Sequence, residues 1–188
     1  MVDPEKIAHM PPRVYTEDPE FTMSPEHLPD DVYAQAISSL VVVCADVLFA
    51  DRARKTVFLA HRKVKPMVGL WLIGGRIRAG EQADAGMARI VQRETSLTLP
   101  AGRFEFLAMH RYFFKDRKQQ PQEKGTDALV YTFLAEVTPD ELRIAAAHLD
   151  SGEYETAGFE ECNRDALVAA KVYPAILDLY DSVFPECA

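Results

Sequence analysis

Apolar residues follow two different rhythms along this chain of 188 residues. Long apolar runs stand at LVVVCADVLF (40–49), TVFLAHR (56–62), FEFLAMHRYFF (104–114) and DALVYTFLAEV (127–137). Runs of this length, rich in β-branched and aromatic residues and bounded by polar segments, predict strands. The first two are joined by a polar loop whose turn is expected near Asp51 to Arg54. A shorter apolar strand, GLWLIGG, runs into a glycine pair. Between 83 and 97 the rhythm changes, and Ala83, Met87, Ile90, Glu94 and Leu97 recur at spacings of three and four. That stripe predicts one helix, ending near Thr95–Ser96, with its inner face on the sheet. Further on, Thr138-Pro139-Asp140-Glu141 opens a turn or a short helix, and 155–159 reads as a short strand. Segments 165–171 and 174–184 read as closing helices, broken at Pro174. Strands flanking one central helix, with further helices at the end, give a mixed α/β fold in three layers.

Two stretches stand outside this pattern. Six of the twelve prolines lie in residues 1–29, which keeps regular structure there short. Ser24-Pro25-Glu26 reads as a helix start, and Asp30 or Asp31 as the cap of a second short helix through Ile37. Residues 1–38 thus form a Pro-rich arm with short helices, read either as a surface-hugging extension or as a dimer-forming or lid segment. The remaining residues, 39–188, form one domain. The other stretch is the polar loop KDRKQQPQEKGT between the third and fourth long strands, of a length associated with functional or mobile loops.

Composition narrows the function. A net charge of −8, from 21 basic and 29 acidic residues, argues against a general nucleic-acid binder but leaves room for a local basic pocket. The cysteines, Cys44, Cys162 and Cys187, match no metal-ligand spacing and read as reduced thiols. The opening MVDPEKIAHMPPR has neither the basic start nor the apolar run of a signal peptide, and no segment reaches the ~20 apolar residues of a membrane span. The expectation is a cytoplasmic protein with no membrane and no nucleic-acid partner.

The candidate chemistry sits in GGRIRAGEQADAGMARIVQRETSL (74–97). Glu94 is the only acid on the packing stripe, and a carboxylate there requires a cationic partner or a metal. Glu81 opens the helix, where negative charge is favoured by the helix dipole. Arg62, Arg76 and Arg89 cluster in sequence around one glycine loop, and guanidinium groups bind phosphate oxygens in pairs.

Counting from Gly75, five residues precede Glu81 and seven more precede Arg89; this spacing resembles the Nudix box. Gly75, Glu81, Arg89, Val91, Glu94 and Leu97 match it, whereas Ile90 and Arg93 stand where typical members carry two metal-binding acids, and Ser96 stands for a glycine. The same losses, with HRKVKPMVGLWLIGGRIRAGE and the layout of residues 40–170, resemble the GDP-mannose mannosyl hydrolase branch. The resemblance implies a Nudix-like α/β/α sandwich with a mixed central sheet and a substrate of the nucleoside diphosphate class, a nucleotide sugar foremost. It implies Mg²⁺ or Mn²⁺ held by the Gly74 carbonyl, Glu94 and Glu81. Arg62, Arg76 and Arg89 would contact the diphosphate, His110 the substrate, and Asp46 would serve as an acid in the first strand. A homodimer is a further expectation.

The implied reaction is water attack at the sugar carbon, the nucleoside diphosphate leaving as a unit. The late region HLDSGEYETAGF supplies Glu153 as base or ligand, with His148 and Asp150 nearby. Two alternatives accompany this reading. One is a catalytically silent domain that binds a nucleotide or a protein, and the other a phosphoanhydride-cleaving hydrolase with substitute ligands.

Overall fold

The computed structural model describes residues 14–18 and 20–185; the segment read for a signal peptide and Cys187 lie outside the described residues. Its elements run α1 (Asp30–Ala36), β1 (Val42–Asp51), β2 (Thr56–Arg62), β3 (Gly69–Trp71), β4 (Ile73–Arg76), α2 (Ala83–Thr95), β5 (Glu105–Phe114), β6 (Thr126–Glu136), α3 (Pro139–Ala147), β7 (Tyr154–Cys162), α4 (Arg164–Ala169) and α5 (Pro174–Val183).

All seven strands form one mixed sheet; five follow the order β3-β2-β1-β6-β5, with β4 paired to β1 and β7 to β2. β1 and β6 pair in parallel from Val42↔Ala128 to Ala50↔Glu136, and the other pairs are antiparallel. β1 changes partner along its length: Cys44–Val47 pair with β4, while Phe49–Asp51 pair with β2. The site described below lies where β1 and β2 part.

Alternation along β1 sends its side chains to two cores. Ala45, Val47 and Phe49 pack with Met87, Ile90 and Val91 of α2 and Ala145 of α3. Leu48 and Ala50 pack on the opposite face with Trp71, Leu167 of α4 and Ile176 and Leu179 of α5. The result is the expected α/β/α arrangement with a mixed sheet.

Two local expectations are corrected and one choice is decided. Residues 21–29 carry no helix, so Ser24-Pro25 does not start one; Pro29 instead stands at the cap of α1, and Asp30 and Asp31 occupy its first turn. Pro25 and Pro29 both push the residue before them out of the helical region. GLWLIGG is two strands rather than one, because the chain leaves β2 at Trp71 and joins β1 from Ile73. The segment after Thr138 takes the helical one of its two expected forms, nine residues long and capped reciprocally by Thr138 and Glu141.

Candidate active site

The glycine turn is held from inside by one ion pair. Arg89 Nε and Nη2 donate to the two Glu81 oxygens at 2.6 and 2.7 Å, and Nη2 also reaches the Arg76 carbonyl at 3.1 Å. The Arg78 N–H donates to Glu81 Oε2 at 2.9 Å. The Arg89 fork holds the Glu81 carboxyl below the usual carboxylate range, and Glu81 raises the guanidinium in turn. This pair fixes the path from β4 into α2 and spends every carboxylate oxygen on the protein itself.

In the last turn of α2, Glu94 is 2% exposed. Arg93 Nε donates to Glu94 Oε1 at 2.8 Å, and Arg93 Nη2 donates to the same oxygen. Glu94 Oε2 is buried with no hydrogen-bond partner among the described residues. Burial raises the Glu94 carboxyl, Arg93 opposes that shift, and Glu153 and Asp150 add to it. The backbone explains the neighbourhood, since Asp150 N–H donates to the Glu94 carbonyl at 2.7 Å.

These acids do not fit the metal-ligand set that the sequence suggested. Glu81 gives both oxygens to Arg89, and Glu94 gives one to Arg93. Among the described residues no group of three His, Cys, Asp or Glu side chains is placed to hold an ion.

A cavity of about 210 Å³ opens between β1 and β2, over the β4 turn. It brings together Asp46, Arg62, Gly74, Arg76 and Glu153, which are widely separated in sequence. Gly74 faces Asp46 across the β1–β4 pair so closely that a Cβ there would lie 1.9 Å from Asp46 Oδ1. Only glycine lets the acid stand in that position. Burial raises the Asp46 carboxyl to about 7, against the opposing pull of Arg62 and a Trp71 hydrogen bond.

Arg62 is the hinge of the arrangement. Its Nη2 donates to Glu153 Oε2 at 3.1 Å, while its charge also acts on Asp46. Lys118 donates to Glu153 Oε1 at 2.9 Å. Burial alone would raise Glu153, but Lys118 and Arg62 outweigh it and hold the carboxyl below its ordinary value. Two carboxyls around one guanidinium are thus driven in opposite directions, a pattern associated with divided acid–base roles.

The cavity is cationic in a protein of net charge −8: Arg62, Lys65, Arg76, Arg117 and Lys118 line it against Asp46 and Glu153. Arg76 stacks over the Tyr33 ring at 4.4 Å and, among the described residues, has no carboxylate within ion-pair distance. Arg117, 1% exposed, donates to the Gln119 and Pro121 carbonyls and, at 2.8 Å, to Ser38 Oγ, which ties the 115–125 loop to the arm. An aromatic wall faces the charges, with Trp71 5.9 Å from Tyr112 and Tyr112 stacked on Phe114 at 5.3 Å.

The other sequence candidates lie elsewhere. Glu81 and Arg89 support the turn from behind, and Glu94 lies on the inner face of α2. His110, on β5, does not line the cavity; its Nδ1 is buried without a partner, and burial lowers its pKa. His148 is exposed. Sequence reading missed Tyr33, Lys65, Arg117, Lys118 and the partners of Trp71. The Arg-Lys pair in the polar loop was a usable signal for two of these; nothing in the sequence marks Tyr33.

Comparisons with known proteins agree with this architecture. The NUDIX domain profile matches residues 41–181. A MutT NUDIX hydrolase from Burkholderia pseudomallei superposes with a TM-score of 0.56 at 16% identity, over 77% of this chain and 99% of that one. A NUDIX hydrolase from Nitrosomonas europaea gives 0.52 at 17% identity, over 76% and 88%. The NUDIX domain of Shewanella oneidensis NrtR, complexed with ADP ribose, gives 0.51 at 15%, over 75% and 86%. At such identities the likeness concerns the fold alone, while the profile spans most of the chain. With its glycine turn, its α2 helix and this sheet, the chain belongs to the NUDIX domain family.

Proposed function

We propose that this protein hydrolyses a nucleotide sugar or a related nucleoside diphosphate derivative, with water attacking the sugar carbon. The observation that carries the reading is the cationic cavity in an acidic protein, with two oppositely shifted carboxyls around Arg62. A diphosphate satisfies Arg62, Arg76 and Lys118 together, since guanidinium groups take phosphate oxygens in pairs. The aromatic wall of Trp71, Tyr112 and Phe114 offers flat apolar surface to a sugar or base.

The bond changes follow from the residues. Paired with Arg62 and Lys118, Glu153 is a weak base. A bound diphosphate competes for those two cations and restores the basicity of the carboxylate. Glu153 then takes a proton as the water oxygen bonds to the sugar carbon. The carbon–oxygen bond to phosphate breaks, and the nucleoside diphosphate leaves as an anion held by the arginines. Asp46, in its ionised form, faces the positive charge developing on the sugar. General-base assistance of this kind contributes ~10²–10⁴-fold.

Hydrolases of this family generally use divalent cations such as Mg²⁺. No step above is routed through one. Cleavage at phosphorus would draw on more acids than α2 supplies, since Ile90 and Arg93 stand in two of the positions. A silent nucleotide-binding domain is the second reading, favoured by the double tie on Glu153.

The test is turnover of a panel of nucleotide sugars, ADP ribose included, in ¹⁸O water with and without MgCl₂. Label on the released sugar is the expected result. Label on phosphate contradicts carbon attack. Binding with no turnover of any compound leaves the silent reading in its place.

A further inference from the structure

We infer that the Arg93 guanidinium is a built-in cation at Glu94, holding the place that a divalent ion would take and excluding one. The geometry is unusual for the sequence. Consecutive helix residues point about 100° apart and do not face one another. Arg93 belongs to the outer side of α2, and its side chain is 52% exposed. Its head nevertheless folds around the helix and places two N–H groups on one oxygen of a carboxylate that is 2% exposed.

Gly75 fits this placement. A Cβ at that position would lie 3.1 Å from Arg93 Nη2, so the glycine turn leaves the guanidinium its room. Gly75 also lines the cavity, which sets the Arg93–Glu94 pair directly behind the cavity wall. Glu153 and Asp150 act on Glu94 from the β7 side, and Arg93 is the cation that opposes them at Glu94 itself. A divalent ion approaching Glu94 would have to displace a guanidinium already bound at Oε1, and it would find only Oε2 free.

Two consequences follow. Wild-type protein binds Mn²⁺ poorly at Glu94, and removing the Arg93 charge uncovers a site there. Nucleoside diphosphate binding in the cavity needs no divalent cation. The second consequence rests on the function proposed above; the first does not.

The test measures Mn²⁺ binding by electron paramagnetic resonance and calorimetry on the full chain. Proteins compared are the wild type, Arg93→Gln, Arg93→Ala and the double variant Arg93→Gln/Glu94→Gln, each checked for native unfolding behaviour. The Arg93 side chain is half exposed, so both single variants are expected to fold. The expected result is Mn²⁺ binding at least ~10-fold tighter in Arg93→Gln and Arg93→Ala than in the wild type, lost again in the double variant. Equal affinity in wild type and single variants, tighter binding by the wild type, or a gain that survives the second substitution each overturns the inference.

A parallel titration with GDP compares EDTA with MgCl₂. Wild-type affinity is expected to differ by no more than ~2-fold between the two conditions, and a Mg²⁺ requirement of ~10-fold or more overturns the second consequence. If GDP does not bind under either condition, the proposed function fails while the Mn²⁺ result still decides the role of Arg93.

Discussion

The glycine turn and the cavity next to it handle charge in opposite ways. In the turn, Arg89 and Glu81 satisfy each other in a two-pronged pair, and both oxygens are spent inside the protein. In the cavity, Glu153 shares Arg62 and Lys118, Arg76 meets Tyr33 and, among the described residues, no carboxylate, and the cations outnumber the acids. A closed pair stabilises the fold, whereas an incomplete set awaits a ligand. In the proposed function the most conspicuous segment of the sequence serves largely as scaffold. The chemistry is assigned to residues on β1, β2 and the β7 approach, which the scaffold holds in register.

Substitutions can break this division. The largest effect is expected from Glu153→Gln, which removes the base while keeping the shape; steady-state kcat should fall ~10²–10⁴-fold with the midpoint of thermal unfolding nearly unchanged. A fall of less than tenfold would take Glu153 out of the reaction.

Asp46 gives the next effect, through pH. Its unfolded carboxyl ionises near the ordinary value of 3.8, while the folded one stays protonated to about 7. The native state therefore binds the extra proton in that window, so stability contributed by Asp46 is full below about 4 and is lost as pH rises through about 7. Denaturant unfolding of wild type and Asp46→Asn across this range should show a difference that declines by on the order of 4 kcal/mol toward higher pH. A difference that stays flat would place Asp46 in a less buried setting. The same ionisation predicts activity rising as pH passes about 7.

Arg89→Ala sharpens the other half of the comparison. It strands Glu81, whose side chain is only 16% exposed, and should cost ~1–3 kcal/mol in unfolding free energy. Smallest is Ser96→Gly. Ser96 closes α2 with φ 55°, a left-handed conformation that costs a serine more than a glycine. The glycine should stabilise by ~0.5–1 kcal/mol, after its larger entropy loss on folding. A decrease in stability would contradict that account of the helix end.

Much of the fold was legible because its signals are local. Uninterrupted runs marked β1, β2, β5 and β6, and the spacing from Ala83 to Leu97 marked α2. What failed was partner choice: nothing between Gly69 and Arg76 says that the strand breaks at Leu72 to exchange β2 for β1. The site was legible in part for the same reason. Asp46, Arg62, Gly74, Arg76 and Glu153 were found and do converge. Arg89 was grouped with them by proximity in the chain and His110 by the family resemblance, yet one points into the turn and the other lies on β5. Tyr33 and Arg117 belong to segments with no periodicity, and only tertiary packing brings them to the cavity wall. Arg93 carried a signal, an arginine in place of an acid, but its fold-back onto Glu94 is a side-chain path that helical spacing does not predict.

The central claim is that the cavity binds the diphosphate and the turn only supports it. Calorimetric GDP affinity of wild type, Arg62→Ala and Arg89→Ala, at a temperature where all three are folded, tests it most directly. The account predicts at least ~10-fold weaker binding in Arg62→Ala and a change below ~2-fold in Arg89→Ala. Equal losses in the two variants, or a larger loss in Arg89→Ala, would contradict it.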